Sequence, residues 1–169
     1  MIPKSALSKL VLQKSDLPKA FSIFYLGPEL MADQTGPRSD TTRFDRLGGW
    51  VGRYHRSGSS KTAGPLVISS KVDLFKNAGG AKKDFELYRR QLLQLGGPKE
   101  VDLGKLGDQA EAVTTLQVGA VKVRSYAIAW RQANATAELE LNGFEGKLTL
   151  ADALALARKQ EDRLRNASG

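Results

Sequence analysis

The stretch HRSGSSKTAGP, residues 55–65, combines residue types that bind phosphate and transfer protons. A phosphate-binding loop needs Gly, four residues and then Gly-Lys-Ser/Thr, between a strand and a helix whose N-terminal amides face the phosphate. Lys61 and Thr62 supply the end of that pattern, but Ser60 and His55 occupy the two glycine positions. A strand pattern follows instead of a helix. We therefore predict a loop between two antiparallel strands and no nucleotide site.

His55 is the single histidine of the chain. A histidine general base needs a nucleophile and an orienting carboxylate, and Ser57, Ser59 and Ser60 are near in sequence. Triads assemble from distant segments, however, and the chain has no Gly-x-Ser-x-Gly elbow. We interpret His55 as a solvated residue at a strand end. The absence of cysteine excludes thiol nucleophiles and thiolate metal sites, and a single histidine excludes a metal site with two or three histidines. No EF-hand-like spacing of Asp and Asn is present, and we predict no catalytic residue, no cofactor and no metal site.

Basic and aromatic residues share one face of the predicted strand 121–131: Lys122, Arg124, Tyr126, Ile128 and Trp130. The opposite face is small, with Val121, Val123, Ser125, Ala127 and Ala129, and is expected to lie under a helix. The larger face has two interpretations: a second helix covers it, or it forms a ligand groove with Arg124 at its mouth. A surface of this composition can also stack nucleic-acid bases, although no RNA-recognition motif accompanies it.

The polar segment 28–43 predicts a long loop over one end of the sheet, and binding functions collect on such loops. Its arginines, with Arg46, are expected to give the loop a positive face. We predict that a ligand or partner contacts this loop together with Arg53 or Tyr54. The candidate binding residues are Arg38, Arg43, Arg46, Arg53 and Tyr54. An inert surface loop is the alternative.

The 26 basic and 18 acidic residues give the 169-residue chain a net charge of +8. This excess is spread along the sequence and forms no polybasic tail, which favours weak, non-specific attraction to nucleic acid and other polyanions. The sequence has no transmembrane segment, because no apolar run approaches roughly 18 residues.

The periodicity predicts three helices and six strands. SALSKLVLQKSDLP predicts a short helix that Pro18 ends, and residues 81–95 form an amphipathic helix. The apolar stripe of that helix is Ala81, Phe85, Tyr88, Leu92 and Leu95, and its polar face is expected to include Asp84. The strands are FSIFYL, GWVGRYHR, PLVISSKVDLF, AVTTLQV, VKVRSYAIAWR and ATAELEL.

Turn and capping residues complete the prediction. Gly119-Ala120 predicts a two-residue type II′ hairpin loop, and Thr149 with Asp152 resembles a capping box that starts a C-terminal helix. Local strand connections favour an α+β fold: an antiparallel sheet of about six strands with helices packed on it. The length fits a single domain over residues 1–169.

Several stretches, in this order, resemble uncharacterised bacterial secreted proteins and lipoproteins: LVLQKSDLPKAF, GRYHRSG, LVISSKVDLFKNAGGAKKDF, LGDQAEA, YAIAWRQANATAELEL and ALALARKQEDRLRNA. Such proteins look like the PsbP-like α/β sandwich, the fold of extrinsic subunits that dock on membrane complexes. The resemblance implies an extracytoplasmic domain, secreted or lipid-anchored, and carries over no catalytic residue. The N-terminal residues have no apolar secretory segment, and no cysteine is present for lipidation; both features depart from that group.

The sequence thus predicts a non-enzymatic extracytoplasmic binding or accessory domain, associated with the cell envelope, with a protein or small-molecule partner. A basic-surface nucleic-acid-binding protein is the alternative, and a hydrolase with an unrecognised site is the third hypothesis.

Overall fold

The computed structural model describes residues 1–30 and 38–169. Within these described residues, seven strands form one sheet: β1 (Ser22–Pro28), β2 (Arg46–His55), β3 (Val67–Phe75), β4 (Lys99–Glu100), β5 (Gln109–Val118), β6 (Lys122–Gln132) and β7 (Ala135–Phe144). The strand order is β1-β2-β3-β7-β6-β5-β4, and every neighbouring pair is antiparallel. The predicted α+β class with an antiparallel sheet is confirmed; the two-residue β4, too short for a periodicity signal, is the strand that the sequence missed.

The described part of the chain has two α-helices, which pack on the sheet: α1 (Ala78–Leu93) and α2 (Leu150–Ser168). Phe85, Tyr88 and Leu92 of α1 are buried, as predicted, against small residues that include Ala127 and Ala129. The helix α2 starts with the predicted capping box, in which Thr149 Oγ1 accepts from the Asp152 amide at 3.2 Å. It packs on the opposite face of the sheet.

That opposite face is apolar. Its fully buried side chains include Ile68, Val72, Leu74, Ile128, Trp130, Leu139 and Leu141. The N-terminal segment covers the β2–β3 part of this face, since the Tyr54 hydroxyl donates to the Leu12 carbonyl oxygen at 2.6 Å. The helix α2 covers Ile128 and Trp130 of β6, which are both 0% exposed, so the interpretation of this face as a ligand groove is wrong.

The predicted N-terminal helix is wrong in type. Residues 5–17 contain parts of two 3-10 helices, Lys4–Lys9 and Lys14–Asp16, separated by extended chain. Leu10, Val11 and Leu12 are all buried. Three consecutive buried residues do not fit one face of a regular helix, so packing against the sheet overrides the local helical spacing.

Two turn predictions have different outcomes. The loop at residues 55–65 joins β2 to β3, which pair antiparallel, so the prediction of a loop between strands is confirmed. The predicted type II′ turn is wrong: Val118 pairs with Lys122, which leaves a three-residue loop, and Gly119 does not have the positive φ that this turn needs.

Candidate functional site

The face of the sheet under α1 buries a network of ions around two aspartates. Asp73 on β3 and Asp84 on α1 are 1% and 0% exposed. Arg43 donates to Asp84 Oδ1 at 2.6 Å and to Asp73 Oδ2 at 2.9 Å. Arg38 donates to Asp73 Oδ2 at 2.7 Å, and Arg46 donates to Asp73 Oδ1 at 2.6 Å. These contacts anchor residues 38–46 to the sheet and to α1.

A second set of ions continues the network along the sheet. The Lys71 ammonium pairs closely with Glu29 and lies 3.8 Å from both Asp73 Oδ2 and Glu138 Oε1. Glu138 also pairs closely with Arg38. Buried charges are tolerated when partners of opposite sign surround them, and here each cation contacts more than one carboxylate.

The pKa values follow from this pairing. Burial opposes the ionisation of Asp73, but Lys71 and the surrounding arginines outweigh it and hold the Asp73 pKa below its usual range. Burial likewise opposes the charge of Lys71, yet Glu138 and Asp73 raise its pKa. For Glu29, burial and the nearby Asp73 charge raise the pKa, and they outweigh the lowering effect of Lys71 and Arg46, so that the Glu29 pKa is about 7.

Strand register explains how the sequence builds this site. Asp73 and Lys71 are two residues apart on β3 and therefore share a face. In the strand register, Lys71 lies opposite Glu138 of β7, and Asp73 lies opposite Gly49 of β2. A Cβ atom at Gly49 would lie 2.5 Å from Asp73 Oδ1, so this glycine leaves the space that the ions occupy.

A cavity of about 150 Å³ lies beside the network, between α1 and strands β2, β3 and β7. Its lining residues are mostly charged or polar: Arg38, Val51, Arg53, Ser69, Lys71, Tyr88, Gln91, Glu138 and Glu140. The Arg38 guanidinium stacks over the Tyr88 ring, 4.7 Å from its centroid, and the Tyr88 hydroxyl donates to Glu140 at 3.3 Å. The inner wall of the cavity is therefore fixed by side chains that hold one another.

An open recess of about 370 Å³ extends this cavity towards the ends of the strands. The two spaces share Arg53, Ser69 and Glu140. Two exposed apolar side chains, Phe24 and Val67, line the outer recess. The combined groove is thus ionic at its inner end and partly apolar at its outer end.

The candidate binding residues fall into three environments. Arg38 and Arg43 are 4% and 5% exposed, and the Arg46 side chain is also buried. The expected positive face of residues 28–43 is therefore wrong for these arginines, because each points inward to carboxylates. Arg53 lines the cavity, whereas Tyr54 is buried on the opposite face, since adjacent strand residues alternate. The rest of the predicted loop, residues 31–37, lies outside the described residues.

The residues considered for nucleic-acid stacking, for proton transfer and for metal binding lie elsewhere. Trp130 and Tyr54 are 0% and 1% exposed, so they offer no base-stacking surface, and Arg124 pairs with Glu145. His55 is exposed at the end of β2, with its ring 6.2 Å from the Phe24 ring. Among residues 1–30 and 38–169, no group of three or more His, Asp or Glu side chains is arranged to hold a metal ion.

Sequence reasoning missed the buried carboxylates and Lys71. Asp84 was expected on the polar face of α1, but it accepts hydrogen bonds from Arg43 and from Thr136 Oγ1, the latter at 2.6 Å. A signal was present in SKVDLF and AELEL, where charged residues alternate with apolar ones on strands that are central in the sheet. Charges that alternate on central strands lie on one face, which α1 covers only in part.

Comparisons with known proteins define the fold class. By sequence, no known protein family and no curated protein matches the chain. By structure, the chain is similar to the extracellular domain of PknH from Mycobacterium tuberculosis, with a TM-score of 0.71 over 98% of this chain and 97% of that one. The identity is 12%, so the likeness shows the fold alone. The fold is thus an α+β fold that an extracellular domain also adopts; the PsbP-like likeness stays a prediction.

None of the described helices combines the length and the apolar character that crossing a bilayer needs.

Proposed function

We propose that this protein is a non-enzymatic extracytoplasmic binding domain whose ligand site is the cavity between α1 and strands β2, β3 and β7. The observation that carries the proposal is the cavity wall, where Arg38, Lys71 and Glu138 are fixed by mutual ion pairs. A wall that is ordered before binding loses little conformational entropy when a ligand enters. Concave sites with a few convergent polar groups are the usual form of small-molecule sites.

Two likenesses support the extracytoplasmic part of this proposal. The fold is similar to that of a domain described as extracellular. The sequence stretches quoted above resemble bacterial secreted proteins and lipoproteins, and through them the PsbP-like sandwich. The proposal accordingly includes a location outside the cytoplasm, secreted or lipid-anchored, and a small-molecule partner.

A binding role without catalysis fits the chemistry of the inner wall. Arg38 and Lys71 both engage Glu138, and Tyr88 donates to Glu140, so these groups are already in use as partners of one another. Groups held in this way position a ligand by charge and hydrogen bonding.

The experiment is a thermal-shift screen of a chemically diverse fragment library against the wild type and Ser69→Leu. Ser69 is on the cavity floor, and a leucine there fills the space. Ser125→Leu is the matched control, because Ser125 is on the same face of the sheet, on β6, and does not line the groove. We expect fragments that raise the melting temperature of the wild type and of Ser125→Leu but not of Ser69→Leu, since a native-state ligand stabilises by mass action. A library with no such fragment would refute the proposed site.

A further inference from the structure

We infer that a second recess, on the α2 side of the sheet, binds a free monocarboxylate with an apolar chain, such as a medium-chain fatty acid. This recess lies on the opposite face of the sheet from the cavity under α1. The inference therefore goes beyond the proposed function and does not depend on it.

Three elements enclose this recess, which has a volume of about 340 Å³. The N-terminal segment, the loop between β2 and β3, and the helix α2 each contribute one wall. The loop is held in place, since the Gly64 amide donates to the Lys147 carbonyl oxygen at 2.8 Å and the Leu66 amide donates to the Asn142 carbonyl oxygen at 2.7 Å. Small-molecule sites usually have volumes of about 300–1,000 Å³, so the recess is large enough for a small ligand.

The inner lining of the recess is apolar. Its buried apolar residues are Leu17, Phe21, Pro65, Ile68 and Leu156. A hydrocarbon chain placed on this lining leaves water, and the gain in free energy is roughly proportional to the apolar area that is covered. The lining thus accounts for the apolar part of the ligand.

Arg56 supplies a fixed cation on the loop side of the recess. Its Nε donates to the Pro65 carbonyl oxygen at 2.7 Å, and its Nη2 donates to the Ala63 carbonyl oxygen. The guanidinium carbon lies 5.0 Å from the centroid of the Phe21 ring. Within residues 1–30 and 38–169 these partners are neutral, and no carboxylate lies within ion-pair distance of the guanidinium. A carboxylate in the recess would meet a guanidinium that is already oriented and lacks a counter-ion.

Lys159 supplies a second cation, from α2. Its Nζ donates to the backbone carbonyl oxygen of Asp16 at 2.6 Å, and in the described part of the chain it has no ion pair. The Asp16 carboxylate is bound by Arg163 instead, whose Nε and Nη2 each lie 2.9 Å from one of its oxygens. An ammonium group has three N–H donors, so Lys159 can also donate to a ligand.

The second carboxylate of the lining, that of Asp152, has partners within the chain. Its Oδ2 accepts from the Thr149 amide at 2.9 Å and from the Thr149 hydroxyl at 2.7 Å, as part of the capping box of α2. Both carboxylates at the recess are thus engaged by the protein, whereas both cations have only neutral partners. This charge pattern favours an anionic head group over a cationic one.

The test compares three eight-carbon probes at pH 7: octanoate, the neutral octanamide and the cationic octylamine. We expect isothermal titration calorimetry of the wild type to show octanoate binding at least about tenfold more tightly than either analogue. Hydrogen bonds between ionised groups are roughly twice as strong as neutral ones, which distinguishes octanoate from octanamide. Octylamine would place a positive charge beside Arg56 and Lys159.

Ala155→Glu is the variant that tests the position of the site. Ala155 is exposed, lines the recess and lies four residues before Lys159, so the introduced carboxylate can pair with Lys159 and repel a bound anion. We expect the affinity for octanoate to fall at least about tenfold. Ala151→Glu is the matched control, since it makes the same change at an exposed residue of α2 outside the recess, and it should keep the wild-type affinity.

Lys159→Gln tests the charge itself. With Arg56 as the remaining cation, the preference for octanoate over octanamide should decrease at least about threefold, since a charged donor is lost. Arg158→Gln is the control, because Arg158 is the exposed neighbour of Lys159 on α2 and does not line the recess. It should retain the full preference.

Several outcomes would overturn the inference: no binding of octanoate, equal affinity for the three probes, a preference for octylamine, or equal effects of Ala155→Glu and Ala151→Glu. Binding to phosphatidylglycerol vesicles that Ala155→Glu abolishes and Ala151→Glu retains would also overturn it, since the site would then recognise a lipid surface. Ser69→Leu should leave octanoate binding unchanged, because Ser69 lines the cavity under α1. The fragment screen alone decides the proposed function, so either proposal can fail without the other.

Discussion

The face of the sheet under α2 buries hydrocarbon, whereas the face under α1 buries ions. On the α2 side, residues such as Leu139 and Trp130 are fully buried in one apolar cluster. On the α1 side, an apolar patch around Phe85 adjoins the carboxylates of Asp73 and Asp84 and the arginines that surround them. The same seven strands support both faces, because side chains of a strand alternate between them.

This difference gives the two faces different roles: the α2 face stabilises the fold, and the α1 face sets the geometry of the cavity. Apolar burial is non-directional and contributes roughly in proportion to area. An ion network contributes only when the geometry matches, because each buried charge loses water that its partners must replace. The α1 face therefore holds residues 38–46 in one position and shapes the wall of the cavity.

The largest effect is expected for Asp73→Ala. This change leaves Arg38, Arg43 and Arg46 buried with fewer carboxylate partners, and breaking a buried network in this way costs about 3–5 kcal/mol. Chemical denaturation at pH 7 measures the loss. Glu145→Ala is the control, since its pair with Arg124 is at the surface, and its effect should be much smaller. Similar losses for the two variants would contradict the network as described.

The apolar face should respond to Leu139→Ala with a loss of about 2–5 kcal/mol, because the variant leaves a cavity among fully buried side chains. Hydrocarbon does not titrate, so the same loss is expected at pH 5 and at pH 8. Leu116→Ala is the control, since Leu116 is 40% exposed. A loss at Leu139 that changes strongly with pH would show that the two faces are not chemically separate.

The smallest effect concerns pH and Glu29. Its pKa of about 7 in the folded protein is above the ordinary value of 4.5, so the folded state binds the proton more tightly than the unfolded state. Lowering the pH from 8 to 5 should therefore stabilise the wild type relative to Glu29→Gln, by about 1–3 kcal/mol. Denaturation curves at both pH values measure this difference. The raised pKa of Glu29 would be refuted if the free energy of unfolding of the wild type, relative to that of Glu29→Gln, stayed constant or decreased as the pH falls.

Much of the fold follows from local patterns in the sequence. The alternation in residues 121–131 predicted which side lies under a helix, and the spacing of Phe85, Tyr88 and Leu92 predicted the buried stripe of α1. Capping chemistry predicted the start of α2, because the Thr149–Asp152 contact is local. The N-terminal segment was mispredicted, since its conformation depends on packing against distant strands.

The candidate site was only partly predictable. Arg53 was selected for its position on a strand beside the loop at residues 28–43, and it does line the cavity. Arg38 and Arg43 were selected as exposed, but their partners are far away in sequence: 35 residues separate Arg38 from Asp73, and 41 separate Arg43 from Asp84. Sequence patterns assign charged residues to solvent unless a partner is known, so the ion network was not foreseen.

By itself, the sequence determined the class of fold, the positions of the main strands and helices, and the face on which each strand residue lies. These features depend on hydrophobic periodicity and on contacts between near neighbours. Only the tertiary structure decided that the α1 face is ionic and that a cavity remains beside it. The reason is that a buried charge is stable only where the sheet register and α1 bring its partners within ion-pair distance, and that distance is a property of the assembled fold.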